Sequence, residues 1–158
     1  MSGRFAQQTN VAVEKTRAEI ESVLQRYGAD GFRYGWNHSR AQIEFVVSDR
    51  MVRFTLVLPD KSDTKFTSTP GGRRRRSAEQ QFSAWEQECR SLWRALLLAI
   101  RAKLEATEVG ISEFDQEFFA FIVDPITNRT VYENVKPALV ARYEGHDKPL
   151  LALPGPTE

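Results

Sequence analysis

A stripe of apolar residues between Phe82 and Leu104 constrains this chain more than anything else in it. Phe82, Trp85, Cys89, Leu92, Trp93, Leu96, Ile100 and Leu104 recur at the spacing that puts them on one side of an α-helix. Ser77 with Gln80 matches a capping box, in which each side chain bonds the other residue's backbone N–H, and Gly110 supplies a stop. The spacing therefore predicts a helix of roughly 30 residues, about 45 Å long at ~1.5 Å per residue. That is much longer than a small sheet needs, so part of this helix must pack elsewhere.

Upstream the period changes. Val13, Thr16, Ile20, Val23, Leu24 and Tyr27 fit a first amphipathic helix over roughly 11–27, ended by Gly28, with residues 1–10 polar and loose. From Gly31 the pattern alternates. "GFRYGW" puts Phe32, Tyr34 and Trp36 on one face, opposite Arg33 and Gly35. "RAQIEFVVS" sets Ala41, Ile43, Phe45 and Val47 against Gln42, Glu44 and Val46. "MVRFTLVLP" sets Val52, Phe54, Leu56 and Leu58 against Met51, Arg53, Thr55 and Val57. Short turns, "NHS" and "SDR", separate the three runs, which reads as an antiparallel meander with one apolar face. Phe32, Tyr34 and Trp36 fit that core face; stacking on nucleic-acid bases is the other use open to them.

After the long helix, Ile111, Phe114, Phe118, Phe121 and Ile122 suggest a short acidic helix with an aromatic face, with Ser112 and Asp115 as its cap. "DPITNRT" reads as a turn or small hairpin. Thr130 with Glu133 caps a last helix carrying Val135, Leu139, Val140 and Tyr143, and residues 145–158 form an irregular Pro/Gly tail whose "LLAL" could dock on the body or on a neighbour. The expected fold is one α+β domain over 1–158: an N-terminal helix, a three-stranded antiparallel meander, a long helix packed on the sheet, and a small helical C-terminal region.

Residues 60–77, "DKSDTKFTSTPGGRRRRS", make a connection of about 18 residues, beyond the ~12–15 at which a loop becomes either functional or disordered. This long basic loop is also where the charge is uneven. Net charge is only +1, but residues 61–103 hold 10 Lys/Arg against 4 Asp/Glu, and residues 104–158 hold 4 against 10. A basic middle and an acidic end share one chain. Arginine outnumbers lysine 16 to 6, which a GC-rich genome explains as readily as phosphate binding does.

No catalytic signature is present, and the chain is read as a non-enzyme without cofactor or metal. His38 lies in a turn and His146 in the tail, neither with a ligand partner at metal spacing. Cys89 sits on the apolar stripe and reads as a buried small hydrophobe. Glu113, Asp115 and Glu117 read as the solvated face of a helix. "GADGFRYG" lacks the strand-then-helix setting of a dinucleotide loop. No apolar run is long enough to span a membrane and the first residues lack an apolar signal core, so a cytoplasmic protein is expected.

The run Arg73–Arg76 is left as the main candidate site. Cations at a helix start oppose the helix dipole, so they do not serve the helix; with the first-turn N–H groups they suit an anion. Three readings stay open: phosphate contact, a solvated charge run, or pairing with the acidic segment 105–124 of this or a neighbouring chain. On the first, Arg73, Arg74, Arg75, Arg76, Lys61 and Lys65, with Arg33 and Arg53 from the polar sheet face, would contact phosphates of DNA or RNA. On the runner-up, the same loop and the acidic helix would engage a host protein, with a homo-oligomer as a further option.

The stretches "EKTRAEIESVLQRYGADGFRYGW", "MVRFTLVLP", "TPGGRRRR", "LWRALLLAIRAKLEATEVGISEF" and "FIVDPITNRTV" resemble a family of small uncharacterised proteins of actinobacterial phages and prophages. The resemblance covers most of residues 11–135 and implies a mobile-element setting, with no activity attached. Element order is similar to that of double-stranded-RNA-binding domains, where a basic cluster opens the second helix and a His-bearing loop joins strands one and two. Here "RRRR" and His38 stand in those places, with a longer loop before the helix and bulkier residues on it. Single-strand annealing proteins also place a long helix after a β-meander, and they form rings.

Overall fold

The structure is a computed structural model that describes residues 3–147, 149 and 150, with side chains from residue 13 onward. Its elements are α1 (Gly3–Arg26), β1 (Gly31–Trp36), β2 (Arg40–Val47), β3 (Arg50–Val57), α2 (Thr64–Thr67), α3 (Ala78–Glu108), α4 (Phe114–Phe118), a 3₁₀ turn (Phe119–Phe121) and α5 (Val131–Tyr143). The α+β class and the element order are those read from the sequence. Helix α1 begins at Gly3, well before residue 11, so residues 3–10 are helical.

The sheet has the order β1-β2-β3, antiparallel throughout, with Phe32 opposite Phe45 and Ile43 opposite Phe54. Both turns are fixed by local chemistry. The Asn37 carboxamide oxygen accepts hydrogen bonds from the Ser39 and Arg40 N–H groups at 2.9 and 2.8 Å. Ser48 and Asp49 both take positive φ, as a two-residue hairpin turn of the type that matches strand twist requires. One sheet face buries Ala41, Ile43, Phe45, Val47, Val52 and Phe54. Against them lie Ile20, Val23 and Leu24 of α1, and Trp93, Leu96, Leu97, Ile100 and Leu104 of α3. The stripe on α3 is thus the core stripe, and free Cys89 is buried on it.

Helix α3 has 31 residues, and its first two turns extend past the core. The 60–77 connection covers them, so it is not a structureless loop. The Trp85 indole N–H donates to the Pro59 carbonyl at 2.8 Å, and Phe66 of α2 is buried. Asp63 caps α2, its carboxylate accepting from the Lys65 N–H.

At the other end of α3, Phe118 is fully buried and meets Phe45 edge-on at 5.9 Å, while Phe121 stacks on Phe54 at 4.1 Å. The aromatic face of α4 therefore extends the core, except for Ile111, which is exposed. The N-cap of α4 is Glu113 and makes no side-chain cap bond; Ser112 instead donates to the Glu117 carboxylate at 2.5 Å. The "DPITNRT" segment forms a small hairpin, bridged between Val123 and Thr130 and joined to β3 through Val52 and Ile122. Thr130 and Glu133 form the capping box of α5. Helix α5 buries none of its residues: Tyr132, Leu139, Val140 and Tyr143 are exposed. Among the described residues after Gly145 there is no regular element, and Leu151–Leu153 of "LLAL" lie outside the described residues.

Candidate nucleic-acid interface

The sequence "TSTPGGRRRRS" folds into a tight hairpin. Pro70 presets the turn and Gly71, at φ +87°, takes the position that a type II turn reserves for glycine; the Gly72 N–H closes it onto the Thr69 carbonyl at 2.8 Å. The Thr69 N–H donates to the Arg74 carbonyl at 2.8 Å, and the Arg76 N–H to the Thr67 carbonyl at 2.8 Å. Ser68 and Arg75 bridge between them. The arginine run is therefore one arm of an ordered hairpin, held by its backbone.

Its side chains differ in fate. Arg76 is half-buried and donates to the Lys65 carbonyl at 3.2 Å, so it closes the hairpin onto α2. Arg73, Arg74 and Arg75 are exposed, and among the described residues none of them makes a side-chain hydrogen bond or ion pair. Lys65 pairs with Glu88 at 3.1 Å. Lys61 is exposed, with its ammonium 4.3 Å above the Trp85 ring. Lys61 and Lys65 thus lie against the first three turns of α3, at Trp85 and Glu88, and the arginine run directly precedes that helix.

The N-terminus of α3 contributes less than the sequence suggested. The capping box forms: the Gln80 N–H donates to Ser77 Oγ at 3.3 Å and the Ser77 N–H to Gln80 Oε1 at 3.0 Å. Glu79 sits in the first turn, where its charge already meets the helix dipole. The site is thus the hairpin and its neighbours, not free first-turn donors.

Arg33 and Arg53 are elsewhere and already occupied. On the outer sheet face they flank Glu44 in register, one from each neighbouring strand. The Nε atoms of both donate to Glu44 at 2.6 Å, and Gln42 adds a bond at 3.0 Å. Glu44 is buried at 6% exposure. Burial raises its pKa, but the hydrogen bonds from Arg53 and Arg33 outweigh that and hold the carboxyl below its ordinary value. Arg53 also donates to Asn128, at the backbone oxygen (2.8 Å) and the side-chain oxygen (2.9 Å), so it fastens the 124–130 hairpin to the sheet.

The acidic segment does not pair with the arginine run within the chain. Asp115 pairs with Arg50 at 3.3 Å, Glu117 with Lys103 at 3.6 Å, and Glu105 accepts from the Tyr27 hydroxyl at 2.9 Å. The two charges stand at opposite ends of α3. Among the described residues no group of three or more His, Cys, Asp or Glu side chains could hold a metal ion, and no helix is long and apolar enough to cross a membrane.

Next to Lys61 lies a cavity of about 470 Å³ that the sequence did not reveal. Trp93, at its base, is buried; Tyr34 and Trp85 are half-buried; Trp36, at 66% exposure, and Lys61 stand at the rim. All three tryptophans of the chain line it. Trp36 has the parity of the core side and lines the cavity with Val13 of α1, yet it stays exposed. The other side of the opening is the β1–β2 turn with His38, and Asp60. No protein-family model, no curated protein and no solved structure matches the chain.

Proposed function

We propose that this is a phage-type, non-catalytic nucleic-acid-binding protein that contacts phosphates through the hairpin at the start of α3. One observation carries the reading. Arg73, Arg74 and Arg75 stand side by side, exposed and without a carboxylate partner among the described residues, on a backbone ordered by its own hydrogen bonds. Adjacent like charges repel, and an ordered hairpin keeps them close; a polyanion relieves that repulsion and releases its own counterions. Lys61 extends the patch, while Lys65 is paired with Glu88. Arg33 and Arg53 are not part of it, because both are bonded to Glu44 on the outer sheet face.

A gel-shift series with single- and double-stranded DNA and RNA at two salt concentrations tests the reading. Each neutralised phosphate adds ~0.7–0.9 to the salt slope, so replacing Arg73, Arg74 and Arg75 by serine is expected to lower that slope by roughly 2 to 3 and to weaken binding across sequences. An unchanged slope rejects the assignment of these residues.

The exposed face of α5 favours a second reading, a module that binds a host or phage protein or another copy of itself. Tyr132, Leu139, Val140 and Tyr143 are apolar and uncovered on one short helix. A solution mass above the 18.1 kDa of one chain, reduced by Leu139→Lys, supports self-association. Nuclease-resistant capture of one host protein, abolished in the same variant, supports a heterologous partner.

A further inference from the structure

We infer that the tryptophan-lined cavity receives an unpaired base, so that the nucleic acid bound by the hairpin is single-stranded. The inference rests on the proposed function and adds to it a strand type and a second contact site.

The cavity has the composition a base requires. Its walls include four aromatic rings, Tyr34, Trp36, Trp85 and Trp93, and aromatic stacking holds bases with little regard to sequence because every base has a π face. Its volume, about 470 Å³, lies in the range of small-ligand cavities and admits a base with part of its sugar. The floor is rigid: Trp93 and Cys89 are buried, and Trp93 leans on Tyr34 at 5.7 Å between centroids. The rim is open, with Trp36 66% exposed.

The charge is placed to match. A base that enters leaves its phosphate at the mouth, and Lys61 is the cation there. Trp85 holds its ammonium at 4.3 Å, which keeps the charge at the rim. From Lys61 the chain runs through α2 to the arginine hairpin, and Arg76 ties the two together through the Lys65 carbonyl. Lys61 at the cavity mouth, beside Asp60, and Arg73–Arg75 on the hairpin are thus joined by one short ordered segment, along which Lys65 is paired with Glu88. Base and phosphate sites in sequence along one surface suit a strand whose bases are unpaired; a duplex keeps its bases stacked inside and could use only the cations. An apolar peptide side chain would fill the cavity but gain nothing from the cations beside it.

Since all three tryptophans line the cavity, intrinsic fluorescence reports its occupation directly. The full chain is titrated with a thymidine oligomer of about 12 nucleotides, the matching duplex, and thymidine monophosphate, at two salt concentrations. The oligomer is expected to quench the emission and the duplex to bind without comparable quenching. Trp36→Ala removes an exposed ring and leaves the core intact, which circular dichroism checks. It is expected to weaken oligomer binding about 10-fold, leave duplex binding unchanged, and be rescued in good part by Trp36→Phe.

Binding of oligomer and duplex with equal affinity, without quenching and without an effect of Trp36→Ala, overturns the base-cavity inference and leaves the phosphate-binding hairpin standing. Failure to bind either nucleic acid overturns both. Quenching by the monophosphate at the concentrations at which the oligomer acts assigns the cavity to a free nucleotide and overturns the strand.

Discussion

Arg33 and Arg53 on the sheet and Arg73, Arg74 and Arg75 on the hairpin are the same residue put to opposite uses. The first two converge on one buried carboxylate, and Arg53 at 14% side-chain exposure is nearly buried itself. The other three face solvent with no carboxylate in reach among the described residues. A guanidinium bonded to a carboxylate inside the protein holds structure together and has fewer donors left for a ligand. One whose charge is left open adds little to stability and is free for an anion.

Stability should separate the two groups most sharply. Arg53→Met leaves Glu44 buried with one exposed partner and frees the 124–130 hairpin from the sheet. A cost of about 3 kcal/mol is expected from urea unfolding, the usual scale for breaking a buried pair. Replacing Arg73, Arg74 and Arg75 together by serine should change stability by no more than about 0.5 kcal/mol. Equal costs would mean that the hairpin arginines have structural partners after all.

Binding should invert that order. The hairpin substitution is expected to weaken nucleic-acid binding about 30-fold at moderate salt, or ~2 kcal/mol. Arg33→Gln, on a side chain 71% exposed, should leave affinity within about twofold and reduce stability by less than about 1 kcal/mol. A large loss of binding from Arg33→Gln would extend the interface around the edge strand onto the outer sheet face.

The contrast also predicts an acid limb. Glu44 has a lowered pKa in the folded chain, so its contribution to stability is fully present above the ordinary glutamate value of 4.5 and is lost as pH falls through the lower folded value. Glu133, lowered by the Thr130 backbone and hydroxyl, and Asp124, lowered chiefly by the Ile126 N–H, act in the same direction. Unfolding free energy should stay flat from neutral pH to about 5 and then fall, with a shallower fall in Glu44→Gln. The hairpin variant should follow the parent curve throughout, since it leaves these three carboxylates and their partners in place.

Much of this frame is legible in the sequence alone. The changes of period from 3.6 to 2 and back located α1, the meander and α3, and the Ser77 and Thr130 capping boxes marked two helix starts, because each is set by residues close in sequence. What escaped depended on distant pairing. Glu44 occupies a polar position of an alternating strand and looks solvated; only the register that brings Arg33 and Arg53 to either side makes it a buried hub. Trp36 has the right parity for the core, but it ends the edge strand β1 and borders a cavity instead of a packed neighbour. The 60–77 hairpin has no apolar period, being built from backbone bonds around Thr67 and Thr69. On α5 the apolar residues are present, yet the helix touches the rest of the fold mainly through the 3₁₀ turn, so burial did not follow from pattern.

Whether the hairpin arginines act as an ordered array or only as local charge turns on Gly71. At φ +87° an L-residue is strained, while a Cβ built there would meet nothing within 4 Å, so Gly71→Ala disturbs the backbone of the turn without a clash. The strain is about 1 kcal/mol and falls on a hairpin outside the main core. The melting temperature should therefore stay near that of the parent. If the array is preorganised for its ligand, part of the strain appears in binding, and affinity should drop about threefold, well short of the loss from removing the charges. An unchanged affinity would mean that four arginines in a floppy loop would serve as well. A large fall in melting temperature would instead make the hairpin part of the structural core, and the division between the two sets of arginines would no longer hold.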